Sequence, residues 1–523
     1  MFQDPFNQRV EYLDDQADKQ GLVVVSNRLP VTFGSDGSLG LSSGGLVTAM
    51  TPVLKRRGGT WLGWSGTEAD VGRQLNRFSQ NNPYQLQNVP LSQEEVQQYY
   101  YGFSNQVLWP LFHGLPEKCR FQEEYWQTYQ AVNEKFARKV AEISEPNDYI
   151  WVQDYHLLCL AKELEKTGSN RKTGFYLHTP FPSPENFFKL PWREELLRAL
   201  LKYSLIGFQT HWDLENFCRC LEYFDPGTSR TNKGSLASIH CGQSCFKAGV
   251  FPISIDFDEF SGLPDVRPRK HSPKNEEKQN KVQTILGVDR LDYSKGIPER
   301  LQALEKALLQ YPELRERIRL VQVVVPSRES IEEYQQLKNE IEYLVGSING
   351  RWSTMNWSPI QYMHGSLPRQ KLVAAYRRAD IALVTPLRDG MNLVAKEYCA
   401  SKNDGNGVLI LSEFAGSAIQ LKEAAILVNP YDINNVADAI SRAFHLPLSR
   451  RTKMMHQARE KIRQEDVHWW LDSYLEAALK TSAEPEEASQ PFSMRPLKRK
   501  LFPAPARPSG KNLGYERKEL FSA

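Results

Sequence analysis

The chain has 523 residues, of which 41% are hydrophobic and 24% are charged, and this length favours two domains over a single core. No apolar run reaches the ~18 residues that a membrane span needs, and the N-terminus has no apolar signal core, so we expect a globular protein without a membrane partner. The net charge of +3 belongs to residues 484–523, where eight lysines and arginines face five acidic residues, so residues 1–483 are neutral and do not indicate nucleic-acid binding.

The first elements predict a buried strand followed by a glycine loop. Residues 1–20 are polar and are expected to form a mobile leader. Residues 22–26 are apolar and β-branched, which predicts a short buried strand that cannot continue past Pro30. Gly44 and Gly45 precede an apolar helical stretch, and backbone N–H groups at such a helix start can approach a bound anion.

Strands and helices then alternate through the first half of the chain. Strands are expected at residues 60–64, 149–154, 173–178, 205–209 and 249–253, with helices between them. This alternation predicts a parallel, doubly wound sheet. Tyr100 and Trp109 belong to an aromatic cluster, which on its own is more typical of a core than of a binding surface.

A second sheet is predicted after a polar linker. Residues 261–280 are rich in Pro, Lys, Asn and Glu, as inter-domain linkers are. Strands are then expected at residues 283–288, 319–325, 360–363, 381–384, 408–411 and 425–428. We therefore predict an α/β fold with two Rossmann-like domains, 21–260 and 281–463, that face a central cleft. Residues 484–523 cannot bury enough apolar surface to order themselves and are expected to be disordered.

Polar side chains follow several of these strands. Ligands of parallel α/β sheets bind beyond the carboxyl ends of the strands. Residues placed there are therefore expected to face one cleft: Arg28, Asp154, His178, Arg290, Arg328 and Asp389.

Two strand-to-helix stretches indicate what that cleft binds. Residues 381–397 predict a buried strand, a turn and a helix that starts near Asn392, with Asp389 before the helix and Glu397 within it. Free N–H groups and the helix dipole at such a start suit a phosphate or a sugar hydroxyl. On this stretch alone, Asp389 could instead cap the helix and Glu397 could be a surface carboxylate. The second stretch, 287–296, brings Arg290 and Lys295 to a strand end, where they could neutralise a diphosphate.

Seven segments of the chain together resemble the trehalose-6-phosphate synthase family of retaining glycosyltransferases. They are residues 25–30, 43–46, 103–110, 154–156, 178–182, 290–296 and 388–397. The resemblance covers residues from about 21 to about 480. It implies the GT-B fold, in which a C-terminal helix, here at about 464–483, crosses back to the first domain.

The resemblance also implies a site for a sugar-nucleotide donor. Arg290 and Lys295 match the residues that neutralise the diphosphate, Glu397 matches the ribose-binding carboxylate, and Asp389 matches the clamp on the glucose hydroxyls. The implied donor-binding residues are Gly44, Gly45, Arg290, Lys295, Asp389, Gly390, Met391, Asn392, Leu393 and Glu397.

An acceptor site is implied beside the donor site. Two arginines, a phenol and an indole N–H form a chemically sensible cradle for the acceptor phosphate. The implied acceptor-binding residues are Arg28, Tyr100, Trp109, Asp154 and Arg328. The residues implied to act in catalysis are Asp154, His178, Arg290, Lys295 and Asp389. Gln153 precedes Asp154 at a position where some relatives carry His.

The implied reaction makes trehalose 6-phosphate from a nucleotide-activated glucose, with UDP-glucose as the expected donor, and glucose 6-phosphate. A related enzyme, glucosylglycerol-phosphate synthase, uses ADP-glucose and glycerol 3-phosphate, and a phosphate pocket alone does not separate the two acceptors. A non-catalytic subunit of a synthase complex is a third alternative. That alternative predicts loss of cleft residues, whereas every motif position is present here.

Neither a metal nor an organic cofactor is expected. The spacings of the seven cysteines match no common zinc pattern, and the Gly-x-Gly-x-x-Gly fingerprint of nicotinamide enzymes is missing. The scattered cysteines favour reduced thiols and therefore a cytoplasmic location. Because no phosphatase domain is recognisable, a separate phosphatase is expected to act on the product, and a homo-oligomer remains open.

Overall fold

The structure, a computed structural model, describes residues 21–33, 39–41, 45–262 and 282–479. All of them fall within one compact unit that ends at Lys480. The predicted leader at 1–20, most of the predicted linker, the predicted tail and Gly44 lie outside the described residues. Among the described residues, no helix is both long and apolar enough to cross a bilayer.

A sheet of nine strands organises the first half, in the order β5-β4-β1-β6-β7-β8-β11-β10-β9. The first seven strands in this order run parallel to one another. The last two, β10 and β9, pair antiparallel and form one edge of the sheet. A separate hairpin pairs β2 with β3. The strands are β1 (Leu22–Arg28), β2 (Val31–Phe33), β3 (Leu39–Leu41), β4 (Thr60–Trp64), β5 (Gln85–Asn88), β6 (Tyr149–Gln153), β7 (Thr173–Tyr176), β8 (Leu205–Phe208), β9 (Ser229–Lys233), β10 (Leu236–Cys241) and β11 (Ser244–Val250).

A second sheet of six parallel strands has the order β14-β13-β12-β15-β16-β17. Its central strands are buried, as expected for a parallel sheet that helices cover on both faces. The strands are β12 (Gln283–Arg290), β13 (Ile318–Val325), β14 (Ile360–His364), β15 (Ile381–Val384), β16 (Val408–Ser412) and β17 (Ile426–Val428).

Helices fill the connections between the strands. The α-helices are α1 (Gly45–Arg57), α2 (Gly72–Gln80), α3 (Gln93–Glu95), α4 (Trp109–Phe112), α5 (Glu123–Ile143), α6 (Leu160–Lys166), α7 (Pro184–Phe187), α8 (Arg193–Leu200), α9 (His211–Phe224), α10 (Phe257–Ser261), α11 (Ile297–Gln310), α12 (Glu332–Trp352), α13 (Arg369–Arg378), α14 (Leu393–Ser401), α15 (Ser417–Leu421), α16 (Ile433–His445), α17 (Leu448–Gln464) and α18 (Val467–Leu479). A π-helical segment, Val96–Leu108, joins α3 to α4.

The predicted α/β class with parallel sheets is confirmed, but both edges of the first sheet differ from the prediction. The strand expected at 249–253 is β11, which begins at Ser244 and ends at Val250. Strands β5, β9 and β10 and the β2-β3 hairpin were not predicted. All five residues of β9 are exposed, so this edge strand lacks the buried, apolar signature that marks its neighbours.

The final helix packs on the first sheet, although it follows the second sheet in the chain. The ring of Tyr474 stacks on Trp151 of β6 with 4.5 Å between centroids, and Trp470 lies 5.2 Å from the same indole. The Tyr474 hydroxyl donates to the Phe175 carbonyl oxygen over 3.3 Å. A Cβ at Gly174 would overlap the Tyr474 hydroxyl, so the glycine allows this close approach. The C-terminal segment therefore completes the core of the first sheet.

Replacing Trp470 with alanine should lower the free energy of unfolding by about 3–5 kcal/mol, because its side chain is wholly buried against β6 and β7. Denaturant titration followed by circular dichroism measures this loss. Trp212→Ala is the matched control, since Trp212 is 74% exposed and its removal should change stability by no more than about 0.5 kcal/mol. Equal losses in the two variants would contradict the packing of α18.

Candidate active site

The first loop of the site connects β12 to α11. Asp292 begins a 3-10 turn, Tyr293–Lys295, by accepting a hydrogen bond from the Ser294 backbone N–H over 2.9 Å. Gly296 follows with φ of 64°, and a Cβ there would overlap the Thr385 carbonyl oxygen. Only glycine fits this left-handed position without strain. The turn places Lys295 at the carboxyl edge of the second sheet.

A buried ion pair supports this loop from behind. Arg300 of α11 is 1% exposed and pairs with Asp289 of β12. Its other N–H groups donate to Gln322 Oε1 over 3.0 Å, to Thr385 Oγ1 over 3.0 Å and to the Lys295 carbonyl oxygen over 3.3 Å. A buried guanidinium with this many acceptors has its hydrogen-bonding groups satisfied and fixes the positions of its neighbours. The pair thereby joins β12, β13, β15 and the turn that carries Lys295.

Asp389 lies opposite Lys295 on the loop that leads into α14. The Lys295 ammonium donates to Asp389 Oδ2 over 2.7 Å, and Asn392 Nδ2 donates to the same oxygen over 3.1 Å. Burial raises the pKa of Asp389, but Lys295 outweighs this effect and holds that pKa below its usual value. Asn392, with φ of 65°, precedes α14, so Asp389 does not cap the helix.

Glu397 is a partly buried residue of α14 rather than a surface carboxylate. Its Oε2 accepts a hydrogen bond from the Tyr376 hydroxyl over 2.7 Å. Burial raises the pKa of this carboxyl, and the Tyr376 hydrogen bond opposes the shift. At the first residue of α14, a Cβ at Gly45 would lie 2.8 Å from the Leu393 Cδ1, so Gly45 packs closely against Leu393. The structure thus places Leu393 and Glu397 on one helix and brings Gly45 to the start of that helix.

The two halves of the molecule meet at Gly390. A Cβ at this position would overlap the carbonyl oxygen of His178, which follows β7 of the first sheet. Met391, next in the chain, is buried within the core cluster of the first half. The loop at residues 389–392 therefore touches the loop that carries His178.

Gln153 orients His178. The imidazole Nε2 lies 2.9 Å from Gln153 Oε1, and the tautomer that hydrogen-bonds to this carbonyl oxygen carries its proton on Nε2 and has Nδ1 as an acceptor. Burial lowers the pKa of His178 to about 3, so the ring is neutral at physiological pH. Gln153 Nε2 has no partner among the described residues and remains free to donate to a ligand.

Asp154 occupies a strained and partly buried position next to His178. Its φ is 70°, which is uncommon for a residue other than glycine, and its Oδ1 accepts a hydrogen bond from the His178 backbone N–H over 3.2 Å. Burial raises the pKa of this carboxyl to about 6, although three backbone hydrogen bonds and Arg290 oppose the shift. Such a carboxylate is ionised at neutral pH and can accept a hydrogen bond from a sugar hydroxyl.

The predicted acceptor residues form a band of aromatic rings with an arginine at each end. Arg28 lies over the Trp64 ring, 4.6 Å from its centroid, and Arg328 lies 4.2 Å from the Trp109 centroid. Burial lowers the pKa of the Arg28 guanidinium, and Tyr100 opposes this shift. Burial also acts to lower the pKa of Arg328, but Tyr334, Tyr155 and Tyr100 outweigh it and raise that pKa. The structure therefore gathers Arg28, Tyr100, Trp109 and Arg328 in one region.

Several hydrogen-bond donors in this region are already engaged within the protein. The Trp109 indole N–H donates to Asp292 Oδ1 over 3.3 Å. Arg328 donates to the Tyr334 hydroxyl over 2.5 Å and to the Tyr155 hydroxyl over 3.2 Å. Buried polar atoms without a partner among the described residues include Arg328 Nε, His156 Nε2 and Trp64 Nε1. These atoms are the donors and acceptors that remain available to a ligand.

Sequence reasoning left Asp292 and Tyr155 without a role, although both lie inside segments that carried the family resemblance. The signal for Asp292 was its place in the 290–296 segment, between the two predicted diphosphate ligands. Within the described part of the chain, no group of three His, Cys, Asp or Glu side chains is arranged to hold a metal ion.

Comparison with known proteins identifies the family. The sequence model of Glycosyltransferase family 20 matches residues 20–480. This chain belongs to glycosyltransferase family 20. A trehalose-6-phosphate synthase of Enterobacter sp. (strain 638) is 39% identical over 474 residues, which are 90% of this chain and 97% of that protein. A bifunctional trehalose-6-phosphate synthase/phosphatase of Thermoproteus tenax is 40% identical, and the match covers 90% of this chain but 65% of the relative.

A solved structure shares the fold of this family 20 glycosyltransferase. The crystal structure of an alpha,alpha-trehalose-phosphate synthase (UDP-forming) from Burkholderia xenovorans in complex with glucose-6-phosphate gives a TM-score of 0.78 at 32% identity. The match covers 88% of this chain and 99% of that one. The predicted family and the predicted GT-B fold are thereby confirmed.

The raised pKa of Asp154 predicts how the stability of this glycosyltransferase changes with pH. The folded state binds this proton more tightly than the unfolded chain does, so the free energy of unfolding falls as pH rises from about 4 to about 6. Asp154→Asn should therefore be more stable than the parent at pH 7, by up to about 3 kcal/mol, and the gain should vanish near pH 4. Denaturant titrations at the two pH values measure the difference.

Asp256→Asn is the control of opposite sign. The hydrogen bond with His468 lowers the pKa of Asp256, so its ionised form stabilises the fold at neutral pH. This variant should lose stability at pH 7. A loss of stability in Asp154→Asn at the same pH would contradict the raised pKa of the Asp154 carboxyl.

Proposed function

We propose that the chain is a retaining glucosyltransferase that makes trehalose 6-phosphate from UDP-glucose and glucose 6-phosphate. One observation carries this proposal. We call residues 290–296 the donor loop, and we call Arg28, Tyr100, Trp109 and Arg328 together the acceptor band. Arg290 of the donor loop and Arg328 of the acceptor band both lie over the Trp109 ring, at 5.5 and 4.2 Å from its centroid. Two phosphate-bearing ligands can therefore bind side by side, as transfer between a sugar nucleotide and a sugar phosphate requires.

The donor half of the reaction depends on charge. Arg290 and Lys295 neutralise the diphosphate as its bond to glucose breaks, which is where preorganised cations contribute most to the rate. In the unliganded cleft Asp389 holds the Lys295 ammonium in place. When the donor binds, the diphosphate shares this ammonium, and Asp389 becomes available to accept hydrogen bonds from glucose hydroxyls.

The acceptor half depends on position. Arg28, Tyr100 and Arg328 bind the phosphate of glucose 6-phosphate, which directs its sugar ring toward Asp154 and His178. Ionised Asp154 and the neutral His178 then hold sugar hydroxyls by hydrogen bonds. Attack occurs on the face of glucose that the diphosphate leaves, and a diphosphate oxygen takes the proton of the attacking hydroxyl, so the anomeric configuration is retained.

A relative and the state of the thiols support two further proposals. The bifunctional relative is named for a synthase and a phosphatase activity, and we propose that a phosphatase likewise consumes the product made here. All seven cysteines are free, which supports a reducing, cytoplasmic location. Glucosylglycerol-phosphate synthesis is the competing activity, and the acceptor decides between the two.

A panel of donors and acceptors tests the proposed function. Purified protein is mixed with UDP-, ADP- or GDP-glucose and with glucose 6-phosphate, glycerol 3-phosphate or glucose, and release of the nucleoside diphosphate is measured. We expect UDP-glucose and glucose 6-phosphate to be the fastest pair. Arg328→Ala should raise the KM for glucose 6-phosphate by roughly tenfold or more, since a charge-assisted contact contributes ~1.5–3 kcal/mol. Donor binding without acceptor should not change.

Other outcomes of the panel would overturn parts of the proposal. Faster turnover with ADP-glucose and glycerol 3-phosphate would establish the competing synthase. No release from any pair would establish a non-catalytic subunit. Loss of donor binding in Arg328→Ala, with discrimination between glucose 6-phosphate and glucose intact, would show that the acceptor pocket is misassigned.

Lys295→Ala should lower kcat/KM by at least ~100-fold, because a cation that faces the leaving diphosphate is lost. Steady-state kinetics with saturating glucose 6-phosphate measure the effect. Lys338→Ala is the matched control, since Lys338 is exposed on α12 and pairs only loosely with Glu342 at 3.9 Å. Activity near that of the parent in Lys295→Ala would remove Lys295 from the donor site.

A further inference from the structure

Asp292 lies where the donor loop, the acceptor band and the two halves of the molecule meet. The residue is 1% exposed. Its Oδ1 accepts hydrogen bonds from the Trp109 indole N–H over 3.3 Å and from the Ser294 hydroxyl over 2.8 Å. Its Oδ2 lies 3.5 Å from Nη1 of Arg328. One carboxylate therefore touches residues of the acceptor band and of the turn that ends at Lys295.

Cations of both predicted pockets surround this carboxylate. Burial raises the pKa of Asp292, but Arg328, Lys295 and Arg290 outweigh burial and lower that pKa to about 2. The carboxylate is thus ionised throughout the physiological range. The carboxylate therefore offers these three cations a negatively charged partner, as a bound phosphate group would.

We propose that Asp292 is a positioning residue that aligns Arg328 and Trp109 with the Lys295 turn, and that its charge limits how tightly the cleft holds phosphate groups. The inference rests on the proposed function only for the identity of the two anions. The Asp292 carboxylate is a counter-ion of Arg328, Lys295 and Arg290. An arriving phosphate competes with it for the same cations, so each product anion can leave again.

The two parts of this role predict opposite changes in affinity and rate. Without the negative charge, phosphate groups should bind more tightly because their cations are no longer partly neutralised. Without the carboxylate, Arg328 loses the partner that orients it, so the transition state should be less well stabilised. A residue that served only to stabilise the fold would weaken binding and rate together.

Asp292→Asn is the direct test, because the amide oxygen can still accept from Trp109 and Ser294. Calorimetric titration with inorganic phosphate and with UDP should show about tenfold tighter binding of each, the size expected for removing one nearby like charge. With UDP-glucose and glucose 6-phosphate, kcat should fall about tenfold or more while the KM for glucose 6-phosphate does not rise. Weaker or unchanged binding of phosphate would overturn the proposal.

Glu333→Gln is the matched control. Glu333 also forms an ion pair between the two halves, with Arg120 at 2.6 Å, but these side chains are 21% and 50% exposed, whereas Asp292 is buried. Its neutralisation should leave anion binding and kcat unchanged. An equal gain in anion affinity in this control would overturn the proposal, because the loss of any negative charge from the protein would then increase anion binding.

The double variant Asp292→Asn with Arg328→Gln covers the case in which the single variant does not fold. Removing both members of a buried pair is less damaging than removing one. The double variant should fold and should bind phosphate more tightly than Arg328→Gln alone, because Lys295 and Arg290 also lose the neutralising carboxylate. Equal phosphate affinity in the double variant and in Arg328→Gln would overturn the proposal. Because phosphate and UDP titrations need no turnover, a parent without transferase activity would refute the proposed function and leave this test intact.

Discussion

The buried ion pair between Arg300 and Asp289 is the interaction on which the cleft depends. Burying two charges is unfavourable unless they are paired and their remaining hydrogen-bonding groups are satisfied. Here the guanidinium also contacts Gln322, Thr385 and the Lys295 carbonyl oxygen, so one side chain fixes strands β12, β13 and β15 relative to the turn before α11. The turn held in this way places the Lys295 ammonium 2.7 Å from Asp389 Oδ2.

The site contains strained backbone and unpartnered polar atoms, and both features are unfavourable to the stability of the fold. Four residues other than glycine have positive φ among the described residues, and three of them are Asp154, Arg328 and Asn392. Strained backbone persists where the surrounding structure over-determines it, as it does at binding and catalytic sites. The unpartnered polar atoms Arg328 Nε, His156 Nε2 and Gln153 Nε2 lie in the same region, where a ligand would satisfy them.

Much of the fold was predictable because buried parallel strands are short apolar runs that end in polar residues. Arg28, Asp154, Arg290 and Asp389 could be assigned to one cleft for that reason, although their roles stay predictions. The exposed edge strand β9 has no such pattern and was missed. The positions of Asp292 and Gln153 relative to Arg328 and His178 depend on contacts between distant segments, which no local pattern encodes. Gly44 lies outside the described residues.

The contact at Gly390 also restricts how the two halves can separate. Because a Cβ there would overlap the His178 carbonyl oxygen, the side chains of Asp389 and Met391 cannot take the place of the glycine. Sliding of one loop along the other would bring one of them into that position. The side chains next to Gly390 therefore oppose sliding along this contact, and the contact sets the register of the loop at residues 389–392 against His178.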